Sequence, residues 1–191
     1  AKRLCREIKG GLGNRRLLVA SGSGNFGHKA VAKYGIETPL GVARVQRVAQ
    51  EIGEIVTDEL IDVGLPGVLV APHDIWPDGK FVMREEIVPV LYGDVVWEGR
   101  GPVIYSGEKC IEKLLPMLGQ VEMIVQSGCE DGVWGENKKI IPEIDSKNWK
   151  RMKKFVGGSA GVDYTGGMLH KVEEGLMMAR KFGLKPIVIN G

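Results

Sequence analysis

The chain has 191 residues, which is enough for one substantial domain with its own hydrophobic core. Its 26 basic residues are nearly balanced by 24 acidic ones, and the net charge of +2 gives no reason to expect nucleic-acid or membrane-surface binding. Three widely spaced cysteines and only three histidines argue against a disulfide framework and against a zinc site, and this cysteine usage predicts a protein of the reducing cytoplasm. The apolar runs are too short to cross a bilayer.

Apolar segments alternate with helical patterns along the whole chain. A helix over about residues 1–9 precedes a strand at 16–20, a glycine-rich loop and a short helix at about 28–34. Apolar residues at three- and four-residue spacing from Val42 then predict a long amphipathic helix that stops at Gly64. The later predicted elements are a strand at 65–71, a turn at 76–80, a strand at 89–96, a hairpin of 95–97 with 102–105, a helix capped by Ser106, a strand at 121–125, a charged helix face at 147–154, a helix at 168–182 and a strand at 186–191.

Repeated strand–helix units with nearly continuous apolar strands predict an α/β fold around a mainly parallel sheet. No internal repeat or linker divides the sequence, so residues 1–191 are predicted to form a single domain. In such folds ligands gather at the carboxyl ends of the strands. Three glycine-rich stretches follow strands or lead into helices, and we expect binding there: 22–27, 127–132 and 157–167.

The first stretch reads SGSGNFGH, from Ser21 to His28. A strand, a glycine-rich bend and a helix start expose backbone N–H groups at the positive end of a helix dipole, which favours phosphate. Gly22, Gly24 and Gly27 approximate the GxGxxG spacing, although that match is weak by itself. His28 could donate a hydrogen bond to phosphoryl oxygens and stabilise charge during transfer. The alternative is a tight turn with a surface histidine.

The third stretch opens a helix with Gly166 and Gly167 and places Lys171 one turn inside it. The two glycines permit a polyphosphate to approach closely, and the lysine can neutralise it. Asp163 can orient a neighbouring cation. A capped helix with a surface lysine is the alternative, and we favour the phosphate site.

Two further positions carry weaker signals. Asp131 and Gly132 form a strand-to-loop turn of a kind that often borders a nucleotide. Asp94 lies at a strand end, where a carboxylate could hold a lysine or Mg²⁺, or could simply be a solvated turn residue. Two glycine-rich anion sites and a lysine together indicate two phosphate-bearing ligands, and phosphoryl transfer needs little more than their positioning and positive charge.

The order of the motifs resembles the amino acid kinase superfamily, and within it most closely the isopentenyl phosphate kinase family. The resemblance runs from Leu17 to Gly191, carried by SGSGNFGHKAVAKYG, PVLYGDVV, VIYSGEK, EDGVWG, IPEID, GVDYTGGMLHKVEEGL and IVING. It implies an open αβα sandwich that transfers the γ-phosphoryl group of MgATP to isopentenyl phosphate, giving isopentenyl diphosphate. No general base is then required, because the acceptor phosphate is already an anionic nucleophile.

The resemblance also implies roles for individual residues. His28 and Lys171 would be catalytic. Asp94 and Asp163, which are candidates from the residues alone, are predicted to support them. Acceptor binding falls on Ser23, Gly24, His28 and Gly107. ATP binding falls on Gly22, Gly24, Gly128, Asp131, Gly132, Gly166, Gly167 and Lys171. The chain departs from the family at Ser23, which replaces a glycine, and at 128–130, where Gly-Cys-Glu stands in place of Thr-Asp-Val.

Further expectations come from the family alone: a homodimer, ATP and Mg²⁺ as cofactors, and a place in isoprenoid biosynthesis by the mevalonate pathway. The family's N-terminal strand, its C-terminal strands and some mobile loops are expected to lie outside these 191 residues. A fosfomycin-type kinase shares the glycine loop and histidine, and is the alternative enzyme. A non-catalytic anion-binding protein of the same fold is the alternative from another functional class.

Overall fold

The computed structural model describes residues 1–136, 139–156 and 167–191, and the chain forms two compact units, Ala1–Gly119 and Gln120–Gly191. The helices of the first unit are α1 (Lys2–Leu12), α2 (Gly24–Tyr34), α3 (Pro39–Asp62), α4 (Pro72–Ile75) and α5 (Gly107–Leu114). Its strands are β1 (Val19–Ser21), β2 (Gly67–Leu69), β3 (Val88–Tyr92), β4 (Asp94–Glu98) and β5 (Gly101–Tyr105). The second unit contains β6 (Val125–Gly128), α6 (Trp149–Met152), α7 (Gly167–Phe182) and β7 (Ile187–Asn190).

A parallel sheet in the order β1-β3-β2 forms the centre of the first unit. Ser21 of β1 pairs with Tyr92 of β3, and Leu69 of β2 pairs with Val90. Every residue of the central strand β3 is buried, as expected for an apolar strand covered on both faces. The carboxyl ends of all three strands therefore lie at one edge, and the predicted parallel sheet is confirmed.

Helix α3 supplies much of the core beneath this sheet. Thr38 caps it, since its Oγ1 accepts a hydrogen bond from the Gly41 amide at 3.1 Å. The predicted apolar face is confirmed: Val45, Ala49 and Leu60 are buried. The helix ends at Asp62, and the left-handed φ of +79° at Gly64 matches the predicted stop.

Gly53 allows α3 to approach the sheet closely. A Cβ at this position would lie 2.6 Å from Cδ1 of Tyr92 and 2.7 Å from Cδ1 of Leu69. Because Tyr92 is fully buried, its ring has little room to move. We therefore expect Gly53→Ala to lower the free energy of unfolding by about 1–3 kcal/mol, measured by urea denaturation.

Gly10 provides the matched control for that substitution. It also lies within a helix, but a Cβ there meets no atom within 4 Å. Gly10→Ala is expected to leave stability unchanged or to raise it by up to about 1 kcal/mol. Equal stability of the two variants would show that the approach at Gly53 is not tight.

The antiparallel hairpin β4–β5 follows the sheet, with Asp94 opposite Tyr105 and Glu98 opposite Gly101, as predicted. Ser106 then caps α5, because its Oγ accepts from the Lys109 amide at 3.0 Å. Pro116 lies in a 3-10 turn directly after α5, where the sequence places the helix end. Among the described residues, no helix is both long and apolar enough to cross a membrane.

The second unit is built on the parallel pair β6–β7, in which Val125 pairs with Ile187 and Gly128 with Asn190. Helix α7 packs Val172 and Leu176 in a cluster with other apolar side chains of the same unit. The strand predicted at 121–125 was displaced, because pairing with β7 selects 125–128 although Gln126 and Ser127 are polar. The predicted helix at 168–182 is confirmed, and α7 begins one residue earlier. The predicted strand at 186–191 is confirmed, and β7 is one residue shorter at each end. That the whole chain is one domain stays a prediction.

Candidate functional site

The glycine-rich stretch after β1 is shorter than the sequence predicts. Strand β1 occupies 19–21 rather than 16–20, because its pairing with β3 fixes it there. Helix α2 begins at Gly24, four residues before the predicted start near His28, with Ser23 at the N-cap and a φ of +51° at Gly24. A Cβ on Gly27 would lie only 1.9 Å from Oγ of Ser23, so this glycine lets the N-cap side chain pack against the first turn.

Three loops of the first unit meet at the carboxyl ends of β1 and β3. The Gly93 amide donates to the Ser21 carbonyl at 2.9 Å. A Cβ on Gly93 would lie 3.7 Å from the amide nitrogens of both Ser23 and Gly107. A Cβ on Gly107 would lie 3.0 Å from the Ser21 carbonyl oxygen and 3.4 Å from the Gly22 nitrogen. The backbones of these loops are therefore in direct contact.

This contact brings two helix N-termini together, those of α2 and α5. The first amides of a helix have no partner inside the helix and carry the positive end of its dipole. The Ser23 side chain makes no capping hydrogen bond with α2. Converging N-termini of this kind form a site for a small anion such as a phosphate group.

His28 lies on α2, one turn after Gly24, and is partly buried. Side chains on a helix lean toward its N-terminus, which favours an imidazole that lies along the turn beginning at Gly24. The structure thus brings all four predicted acceptor residues to one region: Ser23, Gly24, His28 and Gly107. Their role in binding stays a prediction.

In the second unit, predicted residues collect at the carboxyl ends of β6 and β7. The Lys171 Nζ donates to the Ser127 carbonyl at 3.1 Å, and a Cβ on Gly128 would lie 3.4 Å from that nitrogen. The Gly191 amide donates to the Gly128 carbonyl at 2.9 Å. Lys171 and Gly128 are therefore adjacent, as a phosphate-binding role requires.

Asp131 is held in the same loop by a residue that sequence reasoning missed. The side-chain amide of Asn190 donates to Oδ1 of Asp131 at 2.8 Å, and its nitrogen lies 3.5 Å from the Cys129 carbonyl. A polar side chain at the carboxyl end of a parallel strand is the signal that could have identified Asn190.

Three more glycines predicted for the nucleotide site, and Asp163 near them, remain to be placed in the structure. A Cβ on Gly132 would lie 2.8 Å from Cγ2 of Ile140, so this buried glycine also serves packing. Gly167 is the first residue of α7. Asp163 and Gly166 lie outside the described residues.

Asp94 is buried at the start of β4 and accepts three hydrogen bonds. Its Oδ1 accepts from the Val95 amide at 2.8 Å, and its Oδ2 accepts from Nδ1 of His73 at 2.6 Å and from the His73 amide at 3.2 Å. Burial raises the pKa of the Asp94 carboxyl group, and the hydrogen bonds from His73 oppose that rise. A role of Asp94 toward a lysine or Mg²⁺ stays a prediction.

His73 was also missed from the sequence, although it lies just beyond the carboxyl end of β2. A histidine shortly after a predicted apolar strand is the signal that could have drawn attention to it. Within the described ranges, no group of three or more histidine, cysteine, aspartate or glutamate side chains is arranged to hold a metal ion.

Comparison with known proteins gives one consistent result. The model of the amino acid kinase family matches residues 1–190. The isopentenyl phosphate kinase of Methanocaldococcus jannaschii is 29% identical over 217 positions, covering 100% of this chain and 81% of that protein. The isopentenyl phosphate kinase of Methanothermobacter thermautotrophicus is 27% identical, covering 99% of this chain and 81% of that protein.

Solved structures show the same fold. A T. acidophilum isopentenyl phosphate kinase product complex superimposes with a TM-score of 0.70 at 22% identity, covering 99% of this chain and 80% of that chain. Carbamate kinase from Giardia lamblia bound to AMP-PNP superimposes with a TM-score of 0.61 at 13% identity, covering 99% of this chain and 82% of that chain. The predicted α/β fold with its mainly parallel sheet is confirmed, and the chain belongs to the amino acid kinase family.

Proposed function

We propose that this protein transfers the γ-phosphoryl group of ATP to isopentenyl phosphate, giving isopentenyl diphosphate and ADP. The observation that carries the proposal is the convergence of the α2 and α5 N-termini at the carboxyl ends of β1 and β3, with His28 one turn inside α2. Two relatives that align with nearly the whole chain are named isopentenyl phosphate kinases, and this supports the proposal.

The acceptor phosphate is proposed to lie between the two helix N-termini. Backbone amides there, beside Gly22 and Gly107, suit a doubly charged phosphate monoester because they supply hydrogen-bond donors at the positive ends of two helix dipoles. The imidazole of His28 donates a further hydrogen bond to a phosphoryl oxygen. These contacts hold the acceptor for attack.

Transfer itself requires little covalent chemistry from the protein. An oxygen of the acceptor phosphate attacks the γ-phosphorus of ATP, and a new phosphorus–oxygen bond forms. The bond from the γ-phosphorus to the β–γ bridging oxygen breaks, and its electron pair leaves with ADP. Because the attacking oxygen is already anionic, no side chain has to remove a proton from it.

The donor phosphates are proposed to bind at the ends of β6 and β7. Lys171 supplies a cation there, placed by its hydrogen bond to the Ser127 carbonyl. Gly128 leaves room beside that ammonium group, and Asp131 is fixed by Asn190. An ammonium group and open backbone suit a polyphosphate, and the positive charge compensates negative charge that moves toward ADP during transfer.

Mg²⁺ is proposed to enter with ATP, bound chiefly to phosphate oxygens. Asp163 keeps its proposed role of orienting a cation. A homodimer and a place in the mevalonate pathway remain parts of the proposal that rest on the family, and a cytoplasmic location is a part that rests on the cysteine usage.

The direct test is an assay of ATP consumption, with ³¹P NMR of the products, against isopentenyl phosphate, dimethylallyl phosphate and fosfomycin. We expect isopentenyl diphosphate and ADP in equal amounts, and a kcat/KM for isopentenyl phosphate at least about tenfold above that for fosfomycin. Phosphorylation of fosfomycin alone would favour the phosphonate kinase. Binding of isopentenyl phosphate without any turnover would favour the non-catalytic anion-binding protein.

A further inference from the structure

His73 and Asp94 form a hydrogen-bonded pair at the sheet edge that carries the acceptor loops. His73 is the second residue of α4, just after β2, and Asp94 is the first residue of β4, just after β3 and Gly93. Because β2 and β3 are parallel neighbours, both residues lie beyond carboxyl ends at the same edge. The pair lies outside the set of residues assigned to substrates above.

The pair is tightly defined. The Asp94 side chain is 0% exposed and that of His73 is 30% exposed. A buried carboxylate is costly unless donors surround it, and here Nδ1 of His73 at 2.6 Å and the amides of His73 and Val95 supply them. Nδ1 therefore carries a proton, because the carboxylate it faces only accepts.

Asp94 is one peptide bond from the centre of the acceptor site. The preceding residue, Gly93, donates to the Ser21 carbonyl at 2.9 Å and packs against the amides of Ser23 and Gly107. Asp94 also pairs across the hairpin with Tyr105, which directly precedes Ser106, the N-cap of α5. A shift of Asp94 would therefore move the backbone that separates the two helix N-termini.

We propose that His73 and Asp94 are positioning residues for the acceptor phosphate: their hydrogen bonds fix Gly93 between the N-termini of α2 and α5 and thereby set the geometry of the anion site. The inference rests on the proposed function for the identity of the acceptor. It assigns to the pair an effect mainly on acceptor binding, because Gly93 lies next to Ser23 and Gly107, which are predicted to bind the acceptor.

Two substitutions at His73 distinguish the effect of its hydrogen bond to Asp94 from the effect of filling the space with a side chain. In His73→Asn, the side-chain nitrogen can replace Nδ1 as the donor to Asp94. In His73→Leu, the side chain has no donor at all, and the carboxylate loses its shortest hydrogen bond. Asp74→Asn is the control, because Asp74 is 80% exposed and its carboxylate lies 3.9 Å from Nε2 of His73.

The experiment is steady-state kinetics of the four proteins with acceptor and ATP varied in turn, after circular dichroism confirms folding. We expect His73→Leu to raise KM for isopentenyl phosphate about tenfold and to change KM for ATP by less than about twofold. His73→Asn should stay within about threefold of wild type, and Asp74→Asn should match wild type. Equal effects of Leu and Asn, no effect of Leu, or equal changes in both KM values would overturn the proposal.

Two further measurements keep the test decisive. If His73→Leu fails to fold, Asp94→Asn replaces it, since it keeps the side-chain shape but turns an N–H group toward one of its donors, and the same KM change is expected. If wild type does not phosphorylate isopentenyl phosphate, the proposed function fails by itself. Positioning is then read from the ¹H–¹⁵N amide shifts of Gly22, Gly93 and Gly107, which should differ from wild type in His73→Leu but not in His73→Asn; unchanged shifts in both variants would contradict it.

Discussion

Replacing His28 with alanine is expected to lower kcat/KM for isopentenyl phosphate by about 10- to 100-fold, because a hydrogen bond to a charged phosphate contributes about 1.5–3 kcal/mol. The imidazole is partly buried on α2 next to the helix N-terminus, so water replaces it poorly. KM for ATP should change by less than about twofold, since the loss falls on the acceptor. Steady-state kinetics with the acceptor varied at saturating ATP measure the effect.

Lys29→Ala is the matched control for His28→Ala. Lys29 is the next residue on the same helix and is exposed, so its removal changes the surface of α2 without reaching the proposed site. Its kinetic constants should equal those of wild type. An unchanged response of His28→Ala to acceptor concentration, or an equal loss in Lys29→Ala, would exclude the proposed role of the imidazole.

Lys171→Ala is expected to lower kcat by about 100- to 1000-fold, the range observed when one preorganised charge-stabilising donor is lost from an active site. KM for ATP should rise as well, because the ammonium group is proposed to contact the donor phosphates before and during transfer. The Ser127 carbonyl, 3.1 Å from Nζ, holds the wild-type side chain in place. Kinetics with ATP varied at saturating acceptor measure both constants.

Lys153→Ala provides the comparison for Lys171→Ala. Its Nζ lies 2.7 Å from Oε1 of Glu173 in an exposed ion pair, which contributes little to stability or function. We expect it to behave as wild type. Should Lys171→Ala retain wild-type kcat and KM for ATP, the donor site would have to be placed elsewhere.

Local patterns were sufficient for much of the fold. The 3.6-residue spacing of apolar side chains predicts α3, and the Ser106 cap and the β4–β5 hairpin also follow from short-range rules. Sequence alone misplaced the start of α2, because Gly24 and Gly27 are poor helix formers. In the structure the Gly27 amide donates to the Ser23 carbonyl at 3.2 Å, and the helix begins at Gly24. It misplaced β6 because the strand is defined by pairing with β7, about 60 residues away.

In the candidate site too, residues that are close in the sequence were predicted together, and pairs that are distant in the sequence were missed. Ser23, Gly24 and His28 belong to one short stretch, so the sequence shows them together. The pairs His73–Asp94 and Asp131–Asn190 are separated by 21 and 59 residues, and only the sheet edges bring their members into contact. The residue type does not reveal that Asp94 is buried. The sequence therefore left two alternatives for it, a holder of a lysine or Mg²⁺ and a solvated turn residue, and did not connect it with a histidine.

The claim that the acceptor phosphate lies between the N-termini of α2 and α5 is tested most directly by titrating ¹⁵N-labelled protein with isopentenyl phosphate and following its amide chemical shifts. We expect the largest changes at Gly24 and Gly107, with the amides of residues 128–132 unaffected until ATP is added. Saturable binding with no change at Gly24 or Gly107, and changes elsewhere in the chain, would contradict the proposed site.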